Sequence, residues 1–487
     1  MAKNMTEIHQ SITKGPFRDD WASLERQAVP SWFKDAKFGI FIHWGLYSIP
    51  AFRNEWYSRN MYLEGSEEFI HHIHTYGPQE KFGYKDFIPL FTADRFDPDD
   101  WAKIIQRSGA RYVCPVAEHH EGFQMYQSSL SRWNSYMMGP KRDILHDLKL
   151  AFERHNMVFT TSSHRAEHWY FMNGGTKFPS DISPSLEQGD FYWPAMPEGE
   201  PYDFQSKPEP HKAFLEDWLM RSVEIIDLYH PKMLYLDWWV QHQAFKPYLK
   251  MLAAYYYNQA IVWNAQVMIC YKHDALAFGC GIKDIERRTF REVKHFSWQT
   301  DTSIANNSWC HTNQLDYKSA GEIISMLIDV VSKNGNLLLN IGPKADGTIP
   351  EYEVKTLETI GRWLATNQEA IYGSRPYETY GEGPAIERET ETAEESQSYT
   401  DQDFRFTVNH GYVYAIAMHP GACTRFMIRT LRKALPPDHH GIYSNIRHVS
   451  LLGSDEMISF LHDDSALHVT KKRGRSPYPI IFKIEFQ

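Results

Sequence analysis

Between about residues 30 and 370, short β-branched and aromatic runs alternate with longer stretches whose apolar positions recur at helical spacing, the pattern of repeated strand and helix units around a parallel sheet. The runs predict strands at 38–42 (FGIFI), 111–116 (RYVCPV), 157–162 (MVFTTS), 233–237 (MLYLD), about 261–264 (IVWN), 295–299 (HFSWQ) and 336–341 (NLLLNI). A closed barrel of this type needs one strand more, and 267–271 (VMICY) is the candidate, which makes the fifth region a split element. Helices are predicted at 98–109, 143–155, 211–229, 245–259, 319–333 and 351–370. Asn334-Gly335 closes one of them, and Pro350 opens the next where its missing N–H does no harm.

Residues 374–403 change character: Pro, Gly and Glu dominate, as in a linker. Alternating segments follow at 404–418, 446–453, 466–472 and 480–486, split by turn residues, and predict a small antiparallel sandwich. The expected architecture is an α/β chain with a (β/α)8-like, TIM-type catalytic barrel over 1–373, including an N-terminal extension, then a linker and C-terminal β-sandwich over 374–487.

Composition narrows the partners. The formal charge of -10 is scattered with both signs throughout, so there is no basic stripe for nucleic acid and no polybasic membrane anchor. No run of roughly 18 apolar residues occurs, and the first residues lack the apolar core of a signal peptide. Five cysteines, an odd number set far apart, do not make a full disulfide framework. A cytoplasmic, reducing location is expected, with sheet edges in the C-terminal sandwich as the candidate surface for homo-oligomers.

In a (β/α) barrel the C-terminal strand ends face one pocket, so residues distant in sequence meet there. The first strand delivers His43 and Trp44; the second Glu118, His119, His120 and Glu121; the third Ser162, Ser163, His164 and Arg165; the fourth Asp237, Trp238 and Trp239; the sixth Trp298, Gln299 and Asp301. The set is rich in His, Trp and carboxylates and holds no lysine placed for a Schiff base. Such groups suit a polyhydroxyl ligand, whose hydroxyls take hydrogen bonds while its C–H faces lie on indole rings. Successive side chains diverge, so one of Trp238 and Trp239 is expected to face the pocket. A single His after a strand is more often a structural hydrogen bonder, but two adjacent imidazoles at a strand end are costly to bury without a polar role.

Phosphate chemistry has no support: no GxxxxGK loop and no GxGxxG after a strand occur. His43 is followed by Trp44 and Gly45 rather than by a second histidine at zinc-ligand spacing, and no CxxC is present, so no metal and no cofactor is expected. Retaining glycoside hydrolysis needs two carboxyl groups about 5–5.5 Å apart, one a nucleophile and one a protonated acid. Asp237 suits the nucleophile. Its partner is open among Glu55, Glu121, Asp284, Glu286 and Asp301.

The segments WFKDAKFGIFIHWGLYSIPAF, EWYSRNMY, FTADRFDPDDWAKIIQRSGARYV, HHEGFQMY, LYLDWW, VVSKNGNLLLNIGPKADGTIP and GRWLATNQEAIYG run in order over most of residues 30–375. Together they resemble the α-L-fucosidases of glycoside hydrolase family 29, with SSHRAEHWYF and DWW closer to a bacterial or archaeal branch. The resemblance implies a retaining exo-glycosidase that removes terminal α-L-fucosyl residues from glycans or glycosides. It makes Asp237 the nucleophile and matches His43, Glu55, Trp56, His119 and His120 to positions that hold fucose hydroxyls or line the pocket. The family's acid/base lies on a variable loop after the nucleophile strand, so Glu286 is the first choice and Glu55 the second. His164 joins the sugar-binding set, and Trp56, Trp238 and Trp309 are candidates for the dry patch that the C5 methyl of fucose requires. Three departures stand out: Gln299 where many members have Glu, HHEGF for the more usual HHDGF, and NAQ (264–266) without the arginine many relatives carry. The alternatives are a fucose-binding protein on the same fold that has lost catalysis, and a metal-dependent hydrolase.

Overall fold

The structure, a computed structural model, describes residues 2–200, 203–388, 398–433, 445–472 and 474–487. Eight parallel strands close into a barrel: Phe38–Ile42, Tyr112–Glu118, a third in two pieces (Val158–Phe159 and Thr161–Ser163), Met233–Leu236, Met268–Lys272, Ile282–Asp284, Trp298–Ser303 and Gly335–Ile341. The first strand seals the ring by pairing with both the eighth, Gly39 opposite Leu338, and the second, Gly39 opposite Tyr112. Nearly every strand residue is buried, because a parallel barrel covers both faces of its sheet, and this is why the strands read as continuous apolar runs. Gly39 is dictated by a close approach: a Cβ there would stand 2.4 Å from the Tyr112 ring, which crosses the barrel interior.

The fifth strand is Met268–Lys272, and IVWN, read as a strand from its β-branched residues, is instead the C-terminal end of the helix Lys246–Val262. Ile261 and Val262 lie on the exposed side of that helix, so no sheet covers them. The three-residue strand Ile282–Asp284 completes the eight. Helices Pro98–Arg107, Ile144–Arg154, Lys212–Tyr229, Ala320–Ser332 and Glu351–Asn367 form much of the outer layer. Their starts carry the caps their sequences announce: Asp97 accepts from the backbone of Asp99 and Asp100 ahead of Pro98, and Ser319 with Glu322 forms a capping box.

At the C-terminal end a five-stranded antiparallel sheet (Arg375–Glu382, Phe404–Asn409, Tyr412–Ala417, Ile480–Phe486 and Ile446–Leu451, in spatial order) faces a three-stranded one (Arg425–Ile428, Leu467–Thr470, Ser459–His462). Phe404, Phe426 and Phe482 form the core between them. Residues read as linker carry an edge strand, Arg375–Glu382, where a proline is tolerated, and a short helix, Pro384–Arg388. The rest of that stretch, 389–397, lies outside the described residues. The five-stranded sheet is tied to the barrel through Asp329 on the helix Ala320–Ser332, which accepts from Lys333 Nζ and from Arg405 Nε, each at 2.7 Å.

Candidate active site

At the C-terminal mouth of the barrel a cavity of about 320 Å³ is lined by His43, Glu55, Trp56, His119, His120, His164, Asp237, Trp238, Glu286 and Trp309, the ten residues to which the family resemblance gave catalytic or sugar-binding places; of the other acid/base candidates Asp301 joins them, whereas Glu121 and Asp284 do not line it. Lys272, His273, Arg288 and Asp301 complete its wall. Trp238 lines the cavity, whereas Trp239 turns inward against Trp169 and Tyr170.

Asp237 follows the fourth strand directly and is 6% exposed. Its Oδ2 accepts from His164 Nδ1 at 2.8 Å and lies 3.4 Å from His120 Nε2, and its Oδ1 is 2.8 Å from Lys272 Nζ. Burial alone would raise its pKa, but the Lys272 ammonium and the His164 hydrogen bond outweigh burial and hold the carboxyl well below the usual range. It is therefore ionised at neutral pH. Burial likewise opposes the charge on Lys272, and the surrounding carboxylates overcome it, so the ammonium persists well above its ordinary range.

Lys272 also donates to Glu286 Oε2 at 2.7 Å. One ammonium thus touches Asp237 at 2.8 Å and Glu286 at 2.7 Å, which keeps those two oxygens no more than about 5.5 Å apart, close enough to flank one anomeric centre. The Glu286 side chain is 38% exposed, far more open than Asp237. Its backbone N–H donates to Asp284 Oδ1 at 2.8 Å, which fixes the loop after the sixth strand. Glu55 is a buried part of the cavity wall: its Oε2 accepts the Trp309 backbone N–H at 3.0 Å, and burial raises its pKa.

The imidazoles are held by the shell behind them. Asn340, on the eighth strand, donates through Nδ2 to Ser303 Oγ and the Trp309 carbonyl, so its Oδ1 accepts from His43 Nδ1 at 2.7 Å. That leaves His43 Nε2 as an acceptor toward the pocket. His120 Nδ1 lies 2.9 Å from the His164 carbonyl and 3.1 Å from Glu167 Oε2. Burial pushes Glu167 up to about 8, which keeps it protonated at neutral pH. His119 stacks on His164 with ring centres 4.8 Å apart. Burial holds His43, His119, His120 and His164 below the ordinary histidine value, so all four are neutral donors and acceptors. Two donor triplets, His43, His119, His164 and His120, His164, Asp237, have atoms within 4.8 Å of one another and could approach a metal ion. Both use His164, whose ring nitrogens are engaged by Asp237 and by Ser162 Oγ at 2.9 Å.

Several strand-end residues prove to be scaffold. Glu118 is sealed beneath Arg165 and Arg221 at 2.7 and 3.0 Å. Trp44 packs among Phe91, Phe96 and Trp101. Gln299 lies inside the barrel between the Tyr112 hydroxyl and Asp284 Oδ2. The sequence reading missed Lys272 and Asn340. Lys272 stands at the end of the true fifth strand, and reading VMICYK to its strand end would have found it.

A barrel mouth walled by indole rings, carrying a buried ionised carboxylate with a second, open carboxyl within about 5.5 Å, defines a glycoside hydrolase. The model of the α-L-fucosidase family matches residues 4–369, and the chain belongs to that family. Tissue α-L-fucosidase from Homo sapiens is 31% identical over 369 residues, 74% of this chain and 73% of that protein. An α-L-fucosidase from Branchiostoma floridae is 30% identical, over 73% of this chain and 75% of its own. Among solved structures, Thermotoga maritima α-fucosidase superposes with a TM-score of 0.74 at 27% identity, covering 96% of this chain and all of that one.

Proposed function

We propose that this α-L-fucosidase removes terminal α-L-fucosyl residues with retention of configuration, Asp237 acting as nucleophile and Glu286 as acid/base. The observation that carries this reading is the pair of carboxylates joined by Lys272 at 2.8 and 2.7 Å. Asp237 attacks the anomeric carbon as Glu286 delivers its proton to the departing glycosidic oxygen, and the C–O bond breaks with formation of a fucosyl ester. Glu286 then takes a proton from water, whose oxygen attacks the same carbon and frees Asp237. The greater exposure of Glu286 supports its role, because the acid/base must meet both the aglycone and water.

Glu55 and the neutral histidines offer donors and acceptors to fucose hydroxyls, while Trp56, Trp238 and Trp309 supply apolar faces for the ring and its methyl group. Fucosylated glycans or glycosides as substrates are supported by the relatives' names and by a T. maritima α-L-fucosynthase solved with a fucosyl-fucosyl azide, 26% identical with a TM-score of 0.75. Placement in a bacterial or archaeal branch rests on the SSHRAEHWYF and DWW segments. A reducing, cytoplasmic setting is supported by five cysteines that are all free. The test is proton NMR of the sugar first released from an aryl α-L-fucoside. α-L-Fucose appearing before mutarotation supports the reading, β-L-fucose first overturns retention, and fucose binding without any release favours a pocket that has lost catalysis.

A further inference from the structure

Lys272 sits among four carboxyl groups. Asp237 and Glu286 touch its ammonium, Asp301 Oδ2 lies 3.9 Å away, and Asp284 stands beside Asp301. Gln299 and the Glu286 N–H hold Asp284, and the Tyr235 hydroxyl holds Asp301. Burial and the neighbouring Asp284 push Asp301 well above the usual carboxyl range. His120 and His164, on the opposite side of Asp237, His43 across the pocket and His273 next in the chain are all neutral through burial. At 2.8 and 2.7 Å, against 3.9 Å for Asp301, the two reacting carboxyls are the nearest partners of the ammonium.

On the reading of Asp237 as nucleophile and Glu286 as acid/base, we propose that Lys272 is a positioning residue whose ammonium is handed from Asp237 to Glu286 when the fucosyl ester forms, switching Glu286 from acid to base. The charges balance at each step. Before reaction Asp237 is ionised and Glu286 protonated. As the ester bond forms and the glycosidic bond breaks, the Glu286 proton leaves with the aglycone, so Asp237 becomes neutral and Glu286 anionic. Lys272 faces one reacting carboxylate in both states without moving a proton itself. Deglycosylation reverses the exchange: Glu286 accepts a proton from water and Asp237 recovers its charge. A lysine suits this task because its ammonium is a compact charge on a flexible stem, able to favour either neighbour.

The test is stopped-flow turnover of 4-nitrophenyl α-L-fucoside by Lys272→Met and Lys272→Arg. The Met variant is expected to release a burst of nitrophenol and then turn over at least about tenfold more slowly than the wild type, because the base form of Glu286 has lost its cation. Azide, which needs no general base, should relieve the slow phase and give α-L-fucosyl azide. Both limbs of the pH profile of kcat/KM should move to higher pH, and Lys272→Arg should restore burst-free turnover. A Met variant with no burst, no azide response and both limbs unmoved overturns the proposal. Should that variant not fold, accumulation of fucosyl-enzyme by Lys272→Arg overturns it and burst-free turnover supports it. Inactivity of the wild type toward this substrate would overturn the fucosidase reading instead.

Discussion

His164 and Asp237 form a directed pair: His164 Nδ1 lies 2.8 Å from Asp237 Oδ2, and its Nε2 lies 2.9 Å from Ser162 Oγ. With Nδ1 donating to the carboxylate, Nε2 accepts from the serine, so two strand ends fix one tautomer and one orientation of the nucleophile. Removing a hydrogen bond to a buried charge costs about 1.5–3 kcal/mol. His164→Phe should therefore lower kcat/KM on an aryl α-L-fucoside by roughly 10- to 100-fold, and His164→Asn, whose amide can stand in for Nδ1–H, should recover much of it. Equal losses in both variants would remove this hydrogen bond from the account.

Glu286 and Glu55 are separable by chemistry. Glu286→Ala is expected to retain turnover of substrates with activated leaving groups when azide is present, giving α-L-fucosyl azide, because azide attacks the fucosyl ester without base assistance. Glu55→Gln keeps an acceptor for the Trp309 N–H but can act as neither acid nor base. It should raise KM and show no azide response. Rescue of the Glu55 variant with none at Glu286 would exchange the two roles.

Glu353 offers a pH test away from the pocket. Buried, with Oε2 accepting the Gly342 N–H at 3.1 Å, it is pushed by burial from 4.5 to about 8. The unfolded chain releases this proton near 4.5 and the folded chain near 8, so folding takes up a proton between those values and stability falls as pH rises through that window. Glu353→Gln should flatten the fall: its Tm relative to wild type should rise from pH 5 to pH 8 and level off above. A constant Tm difference across that range would show that Glu353 does not titrate in this way.

Arg405 and Asp329 join the C-terminal sheet to the barrel. Burial opposes the Asp329 charge, while Lys333 and Arg405 outweigh it and lower the pKa. Breaking one member of such a buried network costs about 3–5 kcal/mol, because the remaining charge is stranded. Arg405→Met should lower the midpoint of chemical denaturation accordingly and leave kcat of the folded enzyme near wild type. An unchanged midpoint would mean that the sheet is held by its apolar contacts alone.

Much of this fold was legible because the barrel strands are buried on both faces and their apolar runs are continuous. What failed did so for local reasons. IVWN mimics a strand because β-branched residues end a helix on its solvent side, and Ile282–Asp284 is too short to carry a period. The strand Arg375–Glu382 is masked by an edge-tolerated proline and by glycine. The ten residues given catalytic or sugar-binding places line one cavity, because each follows a barrel strand or sits on a loop over the strand ends. Lys272 escaped because the candidate strand 267–271 stops just before it. Asn340 escaped because it sits inside an apolar run, where only the closed barrel brings it to His43.

The central claim is that Asp237 bonds covalently to the sugar, and the most direct measurement replaces it. Asp237→Gly should not hydrolyse 4-nitrophenyl α-L-fucoside, and added azide, entering the space of the lost carboxylate, should restore nitrophenol release with β-L-fucosyl azide as the product seen by NMR. Azide-independent hydrolysis at the wild-type rate, or an α-L-fucosyl azide product, would contradict it.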